Sequence, residues 1–343
     1  MNSNLLEQIP TCYASCSIGT SSTSLPSKLA AISAAQFSAI ELSMPDLLTF
    51  ANHHLQREIK DTDYDDLCAA GHEVHKLCEK YGLKILVLQP FSNFEGWPEG
   101  SPEREDAFSR ERGWIEIMKA VETDMLQVGS SDSPGISSSI DFLANDLAQL
   151  ADLLTKHGLR LAYENWCWAT HAPTWKSAWE IVKMTSRDNV GLCLDTFQTA
   201  GSEWADPSTE SGLREGVERA ELESRSRKSL DELSATVPPE KIYFLQISDA
   251  YKMAPPLDSG VDEQGLRPKG RWSHDYRPLT FDGGYFPVVE VTRAVLKTGF
   301  RGWFSVEIFD GKLIQRHGDD TETFAEKAMS MHRTLLEECK RAK

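Results

Sequence analysis

Four polar side chains interrupt apolar runs at comparable places in the chain. Glu164 lies in "LAYENW", Asp195 in "GLCLDTF", Gln246 in "YFLQISD" and Glu307 in "WFSVEIF". A buried carboxylate is costly unless it is paired, protonated or bound to a metal. Each run reads as a short strand, with the polar residue toward its C-terminal end. Three carboxylates and an amide crowded together repel unless something neutralises them. Hard oxygen donors in a roughly octahedral shell suit one divalent ion such as Mg²⁺ or Mn²⁺, with positions left for water or substrate. The absence of His and Cys from the four disfavours structural zinc. The plainer alternative is that each is capped by a backbone amide or by an Arg at a strand end. For one residue alone that alternative is the better reading; recurrence over four successive strands favours the ion.

The elements that must carry these residues form a regular rhythm. Expected strands are Tyr13–Ile18, Ala39–Ser43, Lys84–Phe91, Met125–Gly129, Arg160–Trp166, Val190–Phe197, Lys241–Ser248 and Gly302–Phe309. Several are continuous hydrophobic runs, as in a parallel sheet covered on both faces. Helical patterns lie between them. Ser138–His157, for example, sets Ile140, Leu143, Leu147, Leu150 and Leu154 in one stripe and stops at Gly158. The spacing predicts a single-domain (β/α)8 TIM barrel over residues 1–343. A doubly wound open sheet is the rival, but the first strand lacks the glycine-rich turn of a dinucleotide site. Residues 250–285 form a long, aromatic-rich connection after the seventh strand, which reads as a lid at the barrel mouth. The charged stretch 208–234 reads as a solvated helix face.

Composition narrows the partners. With 52 acidic against 36 basic residues, the net charge is −16, which argues against nucleic acid and anionic membrane but leaves room for a small anionic substrate. No apolar run approaches the ~18–20 residues that span a bilayer. The N-terminal stretch lacks the basic-then-apolar order of a signal peptide. Seven cysteines, an odd number without CxxC pairs, read as reduced thiols in a cytoplasmic protein.

The stretches "VLQPFSNFEGWP", "LAYENWCWATHAPTW", "GLCLDTFQTAG", "FLQISDA" and "RGWFSVEIF" resemble the xylose-isomerase-like (sugar phosphate isomerase/epimerase) TIM-barrel superfamily. Within it they are most similar to the fungal-type 3-dehydroshikimate dehydratases of quinate and shikimate catabolism. The resemblance implies a lyase that converts 3-dehydroshikimate to protocatechuate and water. It also implies that Glu164, Asp195, Gln246 and Glu307 hold one divalent ion, Mn²⁺, Mg²⁺ or Co²⁺. In that chemistry a base removes the C4 proton, the ion stabilises the enolate oxygen, and the C5 hydroxyl leaves with acid assistance. A metal-dependent sugar or inositol isomerase or epimerase would use the same ligands. Two residues depart from the pattern. Gln198 stands where many members have His, and Ser92 where related dehydratases often have Arg.

His171, just beyond the fifth strand, and His274, on the long loop, are the expected acid–base groups, with His171 slightly ahead. Either could equally be an ordinary loop histidine. Gln89, Glu95, Trp166, Gln198 and Arg277 are expected to touch a polyhydroxylated cyclic keto acid, although Glu95 could instead cap a turn and the Trp could belong to the core. Arg271 and Lys269 are further cations on the loop. Glu41, on the second strand, resembles an inward carboxylate common in such barrels. Some barrels of this superfamily pair through their loops, which allows a homodimer without deciding for it.

Overall fold

A computed structural model of the protein describes residue 6 and residues 8–341. The outermost ends of the 1–343 domain, with the first residues of the N-terminal stretch weighed above, lie outside the described residues. Eight parallel strands close into a barrel in the order β1 (Thr11–Ala14), β2 (Ala39–Ser43), β3 (Lys84–Phe91), β4 (Met125–Gly129), β5 (Arg160–Glu164), β6 (Val190–Asp195), β7 (Ile242–Ile247) and β9 (Trp303–Val306). The short strand β8 (Tyr276–Arg277) pairs antiparallel with β10 (Phe309–Asp310) above the mouth.

The main helices around the barrel follow the expected rhythm. They are α1 (Leu25–Ala34), α2 (Met44–Leu55), α3 (Tyr64–Tyr81), α4 (Pro102–Ala120), α5 (Ile140–Thr155) and α6 (Trp175–Thr185). Then come α7 (Thr196–Glu203), α8 (Arg219–Thr236), α9 (Pro268–Asp275), α10 (Val288–Lys297), α11 (Leu313–His317) and α12 (Thr321–Lys340). Local chemistry sets their ends. Ser139 accepts from the Phe142 amide at the start of α5, and Gly82 closes α3 with a φ of 67°.

Strand alternation positions the functional layer. Ala39, Met125, Ala162, Cys193 and Phe244 belong to a small apolar cluster separate from the large outer core. Side chains two residues apart share a strand face. Glu41, Gln127, Glu164, Asp195 and Gln246 therefore stand one step further along the same inward faces. The barrel interior thus changes from apolar to polar toward the C-terminal ends of the strands.

Several boundaries differ from expectation. The first strand begins at Thr11 and ends at Ala14, and residues 15–17 turn as a 3-10 segment. The fifth and sixth strands end on Glu164 and Asp195 themselves. Asp195 ends its strand because its carboxylate caps α7, accepting from the Phe197 amide at 2.7 Å. The eighth expected strand splits around Glu307 into β9 and β10. The long connection is ordered rather than open. Arg267 donates to the Trp168 carbonyl at 2.6 Å, Lys269 donates to the Gly201 carbonyl at 2.6 Å, and Trp272 is fully buried. No helix among the described residues is long and apolar enough to cross a membrane.

Candidate active site

Glu164, Asp195 and Glu307 converge at the barrel mouth, each offering an oxygen within 4.8 Å of the others. All three are buried. Burial pushes the Glu164 carboxyl up, and the charges of Glu307 and Asp195 add to it. Burial likewise raises Asp195 and Glu307, while the nearby Arg277 works against it.

Arg277 is the cation inside this cluster. Its Nη2 lies 2.6 Å from Asp195 Oδ2 and 2.7 Å from Glu307 Oε2, and it also donates to Ser248 Oγ. The guanidinium lies 4.7 Å from the Phe197 ring centroid and 5.2 Å from that of Phe309. Burial works to lower its pKa, but the surrounding carboxylates outweigh it and hold the group charged. The plainer alternative for the strand-end acids is therefore part of the arrangement: an amide caps Asp195, and an Arg pairs with two of the three.

Residual demand for a cation remains. Three carboxylates against one guanidinium leave two negative charges when all are ionised, the charge a divalent ion cancels. Glu164 Oε2 is taken by Trp166 Nε1 at 3.1 Å and by the Gln127 amide, but Glu164 Oε1 is buried without a partner. An orphaned, buried carboxylate oxygen beside two further acids fits a hard divalent cation. Gln246 adjoins the set. Its Nε2 donates to Glu307 Oε1 and to Glu41 Oε2, both at 2.9 Å, and its Oε1 lies 3.3 Å from Cys193 Sγ.

The cavity beside the cluster is lined by Gln89, Pro90, Gln127, Glu164, Trp166, Trp168, Gln198, Ser273, His274, Arg277, Glu307 and Phe309. Trp166 and Trp168 stack with centroids 5.0 Å apart and form an aromatic wall. Gly129 makes room for it, since a Cβ there would fall 2.2 Å from the Trp166 ring. Gln198 Oε1 accepts from the Cys167 amide at 2.9 Å. His274 sits edge-on to Trp168, and burial lowers its pKa.

Of the residues expected at the site, Gln89, Trp166, Gln198, Arg277 and His274 line this cavity. Two others do not. His171 places Nε2 3.3 Å from the Ile136 carbonyl oxygen, because its loop is tied to the one after β4 through Thr170 N and the Ser131 carbonyl at 3.0 Å. Glu95 is buried and turned into the protein, accepting from the Ser131 amide and the Tyr163 hydroxyl, both at 2.8 Å. Arg271 donates to carbonyls of its own loop. Gln127, Ser273 and Phe309 were missed. Gln127 carries the same signal as the acids, a polar residue inside the apolar run "MLQVG", although it sits mid-strand rather than at a strand end.

A closed parallel barrel whose C-terminal mouth gathers acidic residues able to hold a metal ion is the architecture of a TIM-barrel enzyme. The chain belongs to the xylose isomerase-like TIM barrel family, whose model matches residues 29–335. It is 32% identical over 315 residues to the 3-dehydroshikimate dehydratase of Neurospora crassa, covering 88% of this chain and 86% of that protein. It is also 32% identical over 296 residues to the 3-dehydroshikimate dehydratase of Pseudomonas aeruginosa, covering 86% of this chain but 38% of that longer protein. A solved xylose isomerase-like TIM barrel/4-hydroxyphenylpyruvate dioxygenase fusion protein superposes with a TM-score of 0.72 at 25% identity, over 96% of this chain and 43% of that one.

Proposed function

We propose that the protein is a divalent-metal-dependent 3-dehydroshikimate dehydratase, a hydro-lyase that forms protocatechuate. The observation that carries this reading is the buried Glu164–Asp195–Glu307 cluster with its orphaned oxygen, in a chain alike to the Neurospora dehydratase over most of both lengths.

Glu164, Asp195 and Glu307 would hold the ion, and Gln246 is the proposed fourth ligand through Oε1. A bound Mn²⁺, Mg²⁺ or Co²⁺ supplies Lewis-acid polarisation of the substrate ketone. The side chains provide the rest. His274, kept neutral by burial, takes the C4 proton. That proton and the hydroxyl lost from C5 make up the water released. A shift of a C6 proton to the C3 oxygen then completes the aromatic ring. Arg277 steadies Asp195 and Glu307 and lends positive charge to the pocket that receives an anionic acid. Gln89 and Gln198 offer hydrogen bonds to substrate oxygens. The Trp166–Trp168 wall matches a flat ring. The segment 250–285 serves as the lid that keeps water out. The seven free thiols suit the reducing cytoplasm.

The test is direct. Metal-loaded protein mixed with 3-dehydroshikimate should develop the ultraviolet absorbance of a catechol acid, and chelation should stop it. Absence of product from metal-loaded protein would refute the assignment.

A further inference from the structure

The helix α9 carries His274 to the cavity, yet it has only 8 residues, and residues 248–267 lead into it without helix or strand. A helix that short is not stable alone, so tertiary contacts set its place. Its C-terminal end runs straight into β8, where Arg277 is buried in the acid cluster. Its middle is held by Trp272, whose Nε1 donates to the Tyr251 carbonyl at 2.9 Å. Its N-terminal end has no side-chain cap. Arg267, the residue before the helix, supplies a hold of another kind. Its Nη1 donates to the Trp168 carbonyl at 2.6 Å, and its Nη2 donates to Thr170 Oγ1 at 3.0 Å and to the Asp132 carbonyl at 3.4 Å. One planar group thus joins the start of α9 to the loops after β4 and β5. All three acceptors are uncharged, so the contact depends on the fork shape of the guanidinium rather than on an opposite charge.

The loops it grips are themselves fixed. Thr170 N donates to the Ser131 carbonyl at 3.0 Å, and Thr170 Oγ1 donates to the Ser133 carbonyl at 3.1 Å. Trp168 Nε1 donates to Asp132 Oδ2 at 3.0 Å, so the wall ring has its own anchor. Arg267 touches only the backbone of Trp168. At the other end of α9 the His274 ring stands edge-on to that same indole, with centroids 6.0 Å apart. The seven positions from Arg267 to His274 span about 10 Å of helix. A tilt released at the start of α9 therefore displaces the histidine against the wall while the wall stays in place.

We infer that Arg267 is a positioning residue that clasps the start of α9 to the loops after β4 and β5 and so sets the reach of His274 into the cavity. The inference rests on His274 as the base in the reading above and goes beyond it by naming what holds that base.

The experiment measures kcat and KM with 3-dehydroshikimate for wild type, Arg267→Met, Arg267→Lys, His274→Gln and the Arg267→Met/His274→Gln double variant, all loaded with Mn²⁺. Hydrogen exchange of the α9 amides is followed in the metal-free proteins. Arg267→Met should lower kcat about 10–100-fold, the loss that roughly 1 Å of misplacement produces. Its KM should stay within about threefold of wild type, because the wall and the acid cluster are untouched. Arg267→Lys keeps the charge without the fork and should lose as much. In the His274→Gln background Arg267→Met should cost nothing further, since its influence runs through the histidine. The α9 amides should exchange faster in both Arg267 variants. Where Arg267→Met melts below the assay temperature, Arg267→Lys carries the same readings. Wild-type kcat in a folded Arg267 variant, an equal loss with and without His274, or unchanged exchange in α9 overturns this inference alone. Wild-type turnover in His274→Gln overturns the base assignment and this inference with it.

Discussion

Replacing Arg277 by Met removes the charge while keeping most of the aliphatic stem between Phe197 and Phe309. Arg277 is 1% exposed and closes two ion pairs, 2.6 Å to Asp195 and 2.7 Å to Glu307. Breaking a buried pair on one side typically costs about 3–5 kcal/mol, because the partner charge is left without compensation. Unfolding entropy of about 2.1 cal/mol/K per residue gives about 0.7 kcal/mol/K for a chain of this length. The metal-free variant should therefore melt roughly 4–7 °C below wild type. The ion and the guanidinium neutralise the same carboxylates, so the variant should also bind Mn²⁺ more tightly. At a hundredfold excess of ion over Kd, binding adds about 2.7 kcal/mol. Differential scanning calorimetry in EDTA and in Mn²⁺ reads both effects. The Mn²⁺-induced rise in melting temperature should be larger in the variant than in wild type, while turnover falls because the anionic substrate loses its cation. A variant as stable as wild type in EDTA, or one that gains less from Mn²⁺, would refute the shared-neutralisation argument.

Glu307→Gln should cut turnover by at least roughly 10³-fold, since Lewis-acid stabilisation is worth several kcal/mol, while circular dichroism remains native. Unchanged turnover would remove Glu307 from the metal site. His274→Gln should lower kcat/KM about 10²–10⁴-fold at neutral pH. In wild type the neutral base is lost as pH falls through the depressed His274 pKa, so kcat/KM should drop on the acid side, and that limb should shrink in the variant. His332 tests pH-linked stability away from the site. It is buried against Phe304, and burial pushes its pKa down to about 4. The unfolded chain therefore takes up the proton first, and stability is lost as pH falls from the ordinary His range toward 4. The loss at pH 5 should be at most about 2 kcal/mol in urea melts, and His332→Phe should flatten it.

The barrel was readable because β-strands buried on both faces leave a plain mark, short apolar runs spaced by amphipathic helices. The metal-site acids were readable for a related reason: a carboxylate inside "LAYENW" or "WFSVEIF" contradicts its neighbours and needs a local explanation. The role of Arg277 was less visible. It was expected to touch substrate, but nothing in "HDYRPL" tells that the two-residue strand β8 pairs with β10 and carries the guanidinium between Asp195 and Glu307. That pairing depends on tertiary closure of a long loop. The slight preference for His171 over His274 has the same weakness, for only His274 lines the cavity. His171 is only seven residues from Glu164, but the turn at Asn165, which donates to the Pro173 carbonyl at 3.1 Å, carries it away from the cavity. Proximity in sequence to a strand end is a weak guide once the loop folds back on itself.

The most direct test of the central claim is an anomalous difference map from crystals of the protein grown with Mn²⁺. The expected result is a single strong peak within bonding distance of oxygens from Glu164, Asp195 and Glu307, with Arg277 still beside the cluster. A map with no peak at that position, at an ion concentration that saturates turnover, would contradict it.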